Sequence, residues 1–117
     1  MSDKIKVYQK PTCTKCRQTI NILKDRCADF EAINYYEHPL SAEELHSLIE
    51  KLGLSPQDLL RKGEQIYRDL KIGERDLTDD ELIELMVENP DLIQRPIVVR
   101  GKKAVLGRPP ESVEDLL

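Results

Sequence analysis

Two cysteines separated by two residues, Cys13 and Cys16, are the side chains best suited to chemistry in this 117-residue chain. A strand-forming run around residues 5–8 comes before them and is expected to end at Pro11, and apolar side chains recur at helical spacing after them. The pattern predicts a helix that begins at about Cys13 or Thr14. A cysteine at the start of a helix faces unpaired N–H groups and the positive end of the helix dipole, so its pKa can fall to roughly 3.5–7.5. We therefore interpret Cys13 as a nucleophile.

Two other interpretations of the cysteine pair stay open. A structural zinc site needs two more ligands at a regular spacing, and the remaining candidates are Cys27, His38 and His46, with no second CxxC pair. An inert, buried pair also fits the spacing, although Cys13 is expected in a turn flanked by polar residues. Cys27 continues the apolar stripe of the helix, so we expect it to lie in the core.

Length and composition exclude several classes of protein. The chain is long enough for one domain with a core of its own, and no apolar run approaches the roughly 18–20 residues of a membrane span. Residues 1–4 begin no signal-peptide pattern, and three cysteines with one redox-type spacing favour the cytoplasm. Scarce aromatic residues argue against a base-stacking surface. We expect a cytoplasmic monomer that binds neither nucleic acid nor membranes.

The net charge of −4 is unevenly distributed. Residues 37–94 carry fifteen acidic and six basic side chains, whereas the rest of the chain carries seven acidic and twelve basic ones. The part that contains the Cys13–Cys16 pair is therefore basic. A basic, cysteine-bearing region suits a small anionic substrate better than nucleic acid, because the chain as a whole is acidic.

The rest of the chain predicts a second strand, a block of helices and a return to sheet. Residues 30–36 complete a βαβ unit, which implies parallel pairing. Capping boxes that begin at Ser41 and Thr78 start helices that end near Gly53 and Asn89. Shorter helices are predicted at about residues 56–60, 65–70 and 110–116, and a β-hairpin at residues 97–99 and 104–106. The order predicts an α/β sandwich with a mixed sheet of four strands, and an all-helical insert at residues 37–94 of a single domain, residues 1–117.

Four short motifs resemble the arsenate reductases of the glutaredoxin-coupled class, the ArsC family, whose superfamily includes the Spx-type transcription regulators. The motifs are Lys-Pro-x-Cys at residues 10–13, Leu-Leu-Arg-Lys at 59–62, Arg-Pro-Ile-Val-Val at 95–99 and Gly-Arg-Pro-Pro-Glu at 107–111. The resemblance extends from residue 6 to about residue 116. It implies a thioredoxin-like fold with a cis peptide bond between Arg95 and Pro96.

The resemblance also assigns roles to individual residues. Cys13 would attack arsenate, and Arg61, Arg95 and Arg108 would hold the oxyanion. Arginine suits this task because its guanidinium stays charged and presents a rigid fork of donors to a tetrahedral anion. No bound metal or organic cofactor is implied. Glutathione with glutaredoxin, or thioredoxin, would supply the reducing thiols for the detoxification of arsenate.

Two positions depart from the pattern of the family. Gln9 stands where the founding members carry a histidine thought to help form the thiolate, so here the thiolate would depend on the helix and nearby cations. Cys16 stands where those members carry a serine, and it offers a second route through a Cys13–Cys16 disulfide. In this respect the chain is closer to the Spx-type regulators. The alternative is therefore a redox-sensing regulator that binds the C-terminal domain of the RNA polymerase α subunit, although such chains typically lack an arginine matching Arg108.

Overall fold

The computed structural model describes residues 4–10 and 12–117. The expected end of the first strand at Pro11 and the opening residues 1–3 therefore lie outside the described residues. Within the described part of the chain, no helix is long and apolar enough to cross a membrane.

The sheet has the four strands that the sequence predicts, and they pair in both directions. Their order across the sheet is β2-β1-β3-β4. β1 and β2 are parallel, with Val7 opposite Ala32, while β1 with β3 and β3 with β4 are antiparallel. The strands are β1 (Ile5–Gln9), β2 (Phe30–Asn34), β3 (Ile97–Arg100) and β4 (Lys103–Leu106). The mixed sheet confirms the predicted α/β class.

One face of the sheet is covered by helix α1 (Thr14–Asp25) and a 3₁₀ helix, Pro110–Leu116, at the position of the last predicted helix. Apolar side chains from these elements and from the inner strands form one buried cluster: Ile5, Val7, Leu23, Val98, Val113 and Leu116. Burying a side chain of this size contributes roughly 1.5–3 kcal/mol each. The cluster therefore anchors α1, and with it the predicted nucleophile, against the sheet.

The expectation that Cys27 lies in the core is wrong, because α1 ends before it. Cys27 is exposed and adopts a left-handed backbone conformation with φ of 53°. Its N–H donates to the carbonyl of Lys24, and the N–H of Ala28 donates to the carbonyl of Leu23, at 3.0 Å each. This pair of bonds is a Schellman motif, which usually has glycine at the left-handed position.

The second strand is also shorter than predicted, since it ends at Asn34 rather than at Tyr36. The side-chain oxygen of Asn34 accepts a hydrogen bond from the Tyr36 N–H at 3.0 Å. The Asn34 carbonyl accepts from the N–H groups of Glu37 and His38. Asparagine favours such turns, because its side chain can bond to the backbone two residues later.

Residues Pro39–Gln94 form a second compact unit, distinct from the unit that runs to His38 and resumes at Arg95. Both predicted capping boxes are confirmed, at Ser41 with Glu44 and at Thr78 with Glu81. The unit contains α2 (Ala42–Leu52), α3 (Pro56–Leu59), α4 (Gln65–Asp69) and α5 (Asp79–Glu88), with 3₁₀ turns at Ile72–Glu74 and Pro90–Leu92. That all 117 residues fold as a single domain with an insert at residues 37–94 stays a prediction.

Candidate active site

Cys13 occupies the N-cap position of α1, as predicted. Its N–H donates to the carbonyl of Lys10 at 2.9 Å, which tightens the turn after β1, and its carbonyl accepts from the N–H of Arg17 at 3.1 Å. The Cys13 backbone is extended, with φ of −81° and ψ of 125°. The partly exposed thiol thus lies at the start of α1, where the first N–H groups have no partner within the helix.

The surroundings of Cys13 lower the pKa of its thiol. Burial alone would raise the pKa, but the N–H groups of Cys16 and Lys15, the Cys16 thiol and the charge of Arg95 together outweigh it. The Cys13 side chain makes no N-cap hydrogen bond of regular length and angle. The N–H groups at the start of α1, the Cys16 thiol and the charge of Arg95 nevertheless favour the thiolate, which is the nucleophilic form of cysteine.

Cys16 differs from Cys13 in burial and in protonation. It has no exposed surface, and burial, with the nearby Cys13 charge, raises the pKa of its thiol to about 12. At neutral pH Cys16 is thus a thiol that donates toward the Cys13 sulfur. The described structure has both cysteines free.

Arg95 is a buried cation whose charge acts on Cys13. It is 7% exposed, and its Nη1 donates to the hydroxyls of Tyr35 at 3.3 Å and Tyr36 at 3.2 Å. Burial would lower its pKa, but these phenols and the negative charge of Cys13 raise it further. Arg95 therefore keeps its charge in a poorly solvated place, where that charge acts more strongly on a neighbouring anion.

The peptide bond between Arg95 and Pro96 is cis, which confirms the expectation. Gly107, which follows β4, donates its N–H to the Pro96 carbonyl at 2.9 Å. A Cβ atom at Gly107 would lie 2.6 Å from both Pro96 Cγ and Thr19 Oγ1. Only glycine fits this contact, which explains the glycine of the Gly-Arg-Pro-Pro motif. The contact also sets the position of the backbone of the next residue, Arg108.

Arg108 is tied to Arg95 through the backbone. Its Nε donates to the Arg95 carbonyl at 2.8 Å, although the residue as a whole is exposed. The Arg108–Pro109 bond is also cis, which no motif in the sequence led us to expect. The two arginines, 13 residues apart in sequence, are therefore brought together by the turn beside Pro96.

Arg61 lies in the helical unit, just after α3. Its backbone N–H donates to the Leu92 carbonyl at 2.7 Å, next to an isolated antiparallel β-bridge that pairs Leu60 with Ile93. Its Nη2 pairs with Glu64 at 3.0 Å, and its Nη1 is buried without a hydrogen bond among the described residues. The role of Arg61 stays a prediction.

Of the five predicted site residues, the structure places Cys16 and Arg95 where they act on the Cys13 thiol, and it joins Arg108 to the Arg95 carbonyl. That these residues share one anion site stays a prediction. Tyr35 and Tyr36 were missed as site residues, because the sequence pattern placed them in a strand. Asn34 was the available signal, since asparagine at the end of an apolar run predicts a turn.

Among residues 4–10 and 12–117, no group of three or more His, Cys, Asp or Glu side chains is arranged to hold a metal ion.

Comparison with known proteins now identifies the family. The ArsC family profile matches residues 8–116. The chain belongs to the ArsC family. Its fold is the thioredoxin-like fold of that family.

The relatives of this ArsC chain include two proteins named as arsenate reductases and one named as uncharacterized. An arsenate reductase of Acidiphilium multivorum is 40% identical over 113 residues, covering 97% of this chain and 80% of the relative. The uncharacterized protein YfgD of Escherichia coli is 40% identical over 118 residues, covering 100% and 99%. The solved structure of an arsenate reductase from Vibrio cholerae has a TM-score of 0.94 and 38% identity, and covers 100% of both chains.

Proposed function

We propose that this ArsC-family protein is an arsenate reductase that uses the Cys13 thiolate as its nucleophile. The observation that carries the proposal is the Cys13 sulfur at the start of α1, with its pKa lowered in part by the buried Arg95. A thiolate beside a guanidinium suits attack on an oxyanion, since the cation offsets the repulsion between two negative groups. The names of the relatives at 40% identity supply the substrate.

The first step forms a bond between sulfur and arsenic. The Cys13 thiolate attacks arsenic(V), and an arsenate oxygen leaves as water after taking up protons from solvent. Arg95 and Arg108 hold the remaining oxygens and stabilise the charge that develops on them. We assign Arg61 to the same task, because residues 59–62 match the arginine motif of the family.

The second step reduces arsenic with a further thiol. That thiolate attacks the Cys13 sulfur, a disulfide forms, and the electron pair of the broken S–As bond leaves with arsenic as arsenite. The thiol is either glutathione or Cys16. Formation of the adduct removes the Cys13 charge, which is one of the factors that raise the pKa of Cys16, so the buried thiol becomes a better nucleophile at that moment.

The remaining assignments follow from this chemistry. The protein needs no bound cofactor, and it works as a cytoplasmic monomer with glutaredoxin or thioredoxin as its thiol partner. A reducing compartment keeps all three of its cysteines as thiols between turnovers.

The test is arsenate-dependent oxidation of NADPH, coupled either to glutathione, glutaredoxin and glutathione reductase or to thioredoxin and its reductase. We expect turnover with at least one system, with arsenite as product, and none for Cys13→Ser. If Cys16→Ser keeps full activity with glutathione, the internal disulfide is not part of the cycle. Absence of arsenite with both systems contradicts the proposal.

The contact between the two thiols also favours a second candidate, a redox-sensing regulator. The Cys16 thiol interacts with the Cys13 sulfur, so oxidation would join two neighbouring sulfurs. Such a regulator would bind the C-terminal domain of the RNA polymerase α subunit, and oxidation would change the affinity. A pull-down with the reduced and the oxidised protein separates the two functions.

A further inference from the structure

The guanidinium of Arg95 is held by two neighbouring tyrosines to which the sequence motifs gave no role. Nη1 carries two N–H donors, and it bonds to one hydroxyl of Tyr35 and one of Tyr36, at 3.3 and 3.2 Å. Nε is buried and has no hydrogen-bond partner in the described structure. An oxyanion at Arg95 is thus left with the Nε and Nη2 edge, one of the paired-donor edges that match a tetrahedral anion.

The two tyrosines are themselves firmly placed. Tyr35 is 2% exposed, and the two rings lie with their centroids 5.0 Å apart at 37°. Asn34 fixes the turn that presents them, through its bond to the Tyr36 N–H. Aromatic side chains also lose little conformational freedom on ordering, since they have only two χ angles. A rigid support of this kind determines where Arg95 points.

Tyr36 also contacts the loop that carries the nucleophile. The Lys10 Nζ lies 4.7 Å from the centre of the Tyr36 ring, and the Arg95 Cζ lies 6.0 Å from it. Cations within about 6 Å of an aromatic ring are attracted to its face. The carbonyl of Lys10 accepts the N–H of Cys13. One ring therefore connects the cysteine loop with the arginine.

From these contacts we propose that Tyr35 and Tyr36 are positioning residues, which aim the Nε and Nη2 edge of Arg95 at the oxyanion bound next to Cys13. They act through Arg95 and need not touch the substrate. The proposal deepens the proposed function and rests on it for the identity of the anion. Its geometric core, the alignment of Arg95 with the Cys13 sulfur, can be tested without arsenate.

The variants Tyr35→Phe, Tyr36→Phe and the double variant remove the hydroxyls and keep the rings. Tyr67→Phe, in the helical unit, is the matched control. Far-UV circular dichroism and thermal unfolding establish that each variant is folded. If the double variant does not fold, Tyr36→Phe still tests the proposal, because Tyr36 is only partly buried.

The first readout is steady-state kinetics. Since a hydrogen bond to a charged group is worth about a tenfold change in binding, we expect the KM for arsenate to rise about tenfold in the double variant. kcat should fall less than KM rises, because the nucleophile is intact. A loss that affects kcat alone contradicts a role in positioning the anion-binding arginine.

The second readout is the pH dependence of Cys13 alkylation by iodoacetamide, resolved by peptide mass spectrometry. We expect the midpoint to move to higher pH, so that the reactive fraction at low pH falls about threefold, while Tyr67→Phe matches the wild type. An unchanged midpoint together with an unchanged KM overturns the proposal. If the wild type does not reduce arsenate but the midpoint still moves, only the proposed function fails.

Discussion

The two ends of helix α1 have similar residues and opposite properties. A cysteine with two associated arginines is found at each end: Cys13 with Arg95 and Arg108 at the start, where Cys16 and Arg17 also lie, and Cys27 with Arg26 and Arg100 after the end. Cys27 and its two arginines line a cavity of about 480 Å³. Composition alone therefore does not distinguish the candidate site from the opposite end of the same helix.

The difference lies in backbone polarity and in what the arginines bind. At the start of α1, free N–H groups face the sulfur, whereas the free backbone groups at the end are carbonyl oxygens. Arg26 is paired with Glu114, and Arg100 donates to the Leu116 carbonyl at 2.6 Å. The arginines at the end of α1 are thus used to hold the fold, which leaves them less able to bind an anion.

The largest expected effect is on turnover. Cys13→Ser should reduce arsenate reduction by on the order of 10⁴-fold or more, because it removes the nucleophile on which the other groups act. Cys27→Ser should keep the wild-type rate. Both are measured in the coupled NADPH assay, and comparable losses in the two variants would show that the ends of the helix do not differ in function.

Arginine replacement gives the next largest effect. Arg95→Lys should lower kcat/KM by about 100-fold, since a bidentate, charge-assisted contact is worth roughly 1.5–3 kcal/mol. Arg26→Lys is the control, and its exposed pair with Glu114 should contribute at most about 1 kcal/mol to stability and nothing to turnover. Equal losses in kcat/KM would contradict the assignment of Arg95.

Alkaline unfolding tests the buried thiol beside Cys13. The pKa of Cys16 is raised to about 12 in the folded chain, whereas an unfolded thiol titrates near about 8.5. The unfolded state therefore loses this proton first, and the free energy of unfolding should fall as pH rises above about 8.5, by about 2 kcal/mol at pH 10. The lowered pKa of Cys13 has the opposite effect at lower pH, where it makes the free energy of unfolding rise with pH.

Urea unfolding under reducing conditions between pH 7.5 and 10.5 measures this slope. Cys16→Ala should have a shallower decline with pH than the wild type, although it is less stable at neutral pH. Cys27→Gly should keep the wild-type slope. Parallel curves for the wild type and Cys16→Ala would mean that Cys16 is not a buried thiol.

The smallest expected effect is at the other end of the helix. A left-handed backbone costs a residue other than glycine about 1–2 kcal/mol. Glycine avoids this cost, but its greater freedom in the unfolded chain lowers the stability by about 0.5–1 kcal/mol. Cys27→Gly should therefore stabilise the protein by about 0.5–1 kcal/mol in urea unfolding. A clear destabilisation would show that the Cys27 side chain supports the fold.

Sequence reasoning succeeded where the determining residues are close in the chain. The capping boxes at Ser41 and Thr78 and the position of Cys13 at the start of α1 depend on neighbours within a few residues. The support of Arg95 could not be predicted in this way, because Tyr35 is 60 residues away and only the sheet brings them together. Cys27 was misplaced because its helical spacing suggested the core, while a Schellman motif without glycine has no clear signal in the sequence.

The most direct test of the central claim is the rate at which iodoacetamide modifies each cysteine at pH 6.5, with and without arsenate, resolved by peptide mass spectrometry. Exposure alone predicts that Cys27 reacts faster than the partly buried Cys13. The lowered pKa of Cys13 predicts the opposite order, with Cys13 modified first and arsenate protecting Cys13 but not Cys27. Faster modification of Cys27, or no protection of Cys13 by arsenate, would contradict a thiolate held at the start of α1 beside an oxyanion site.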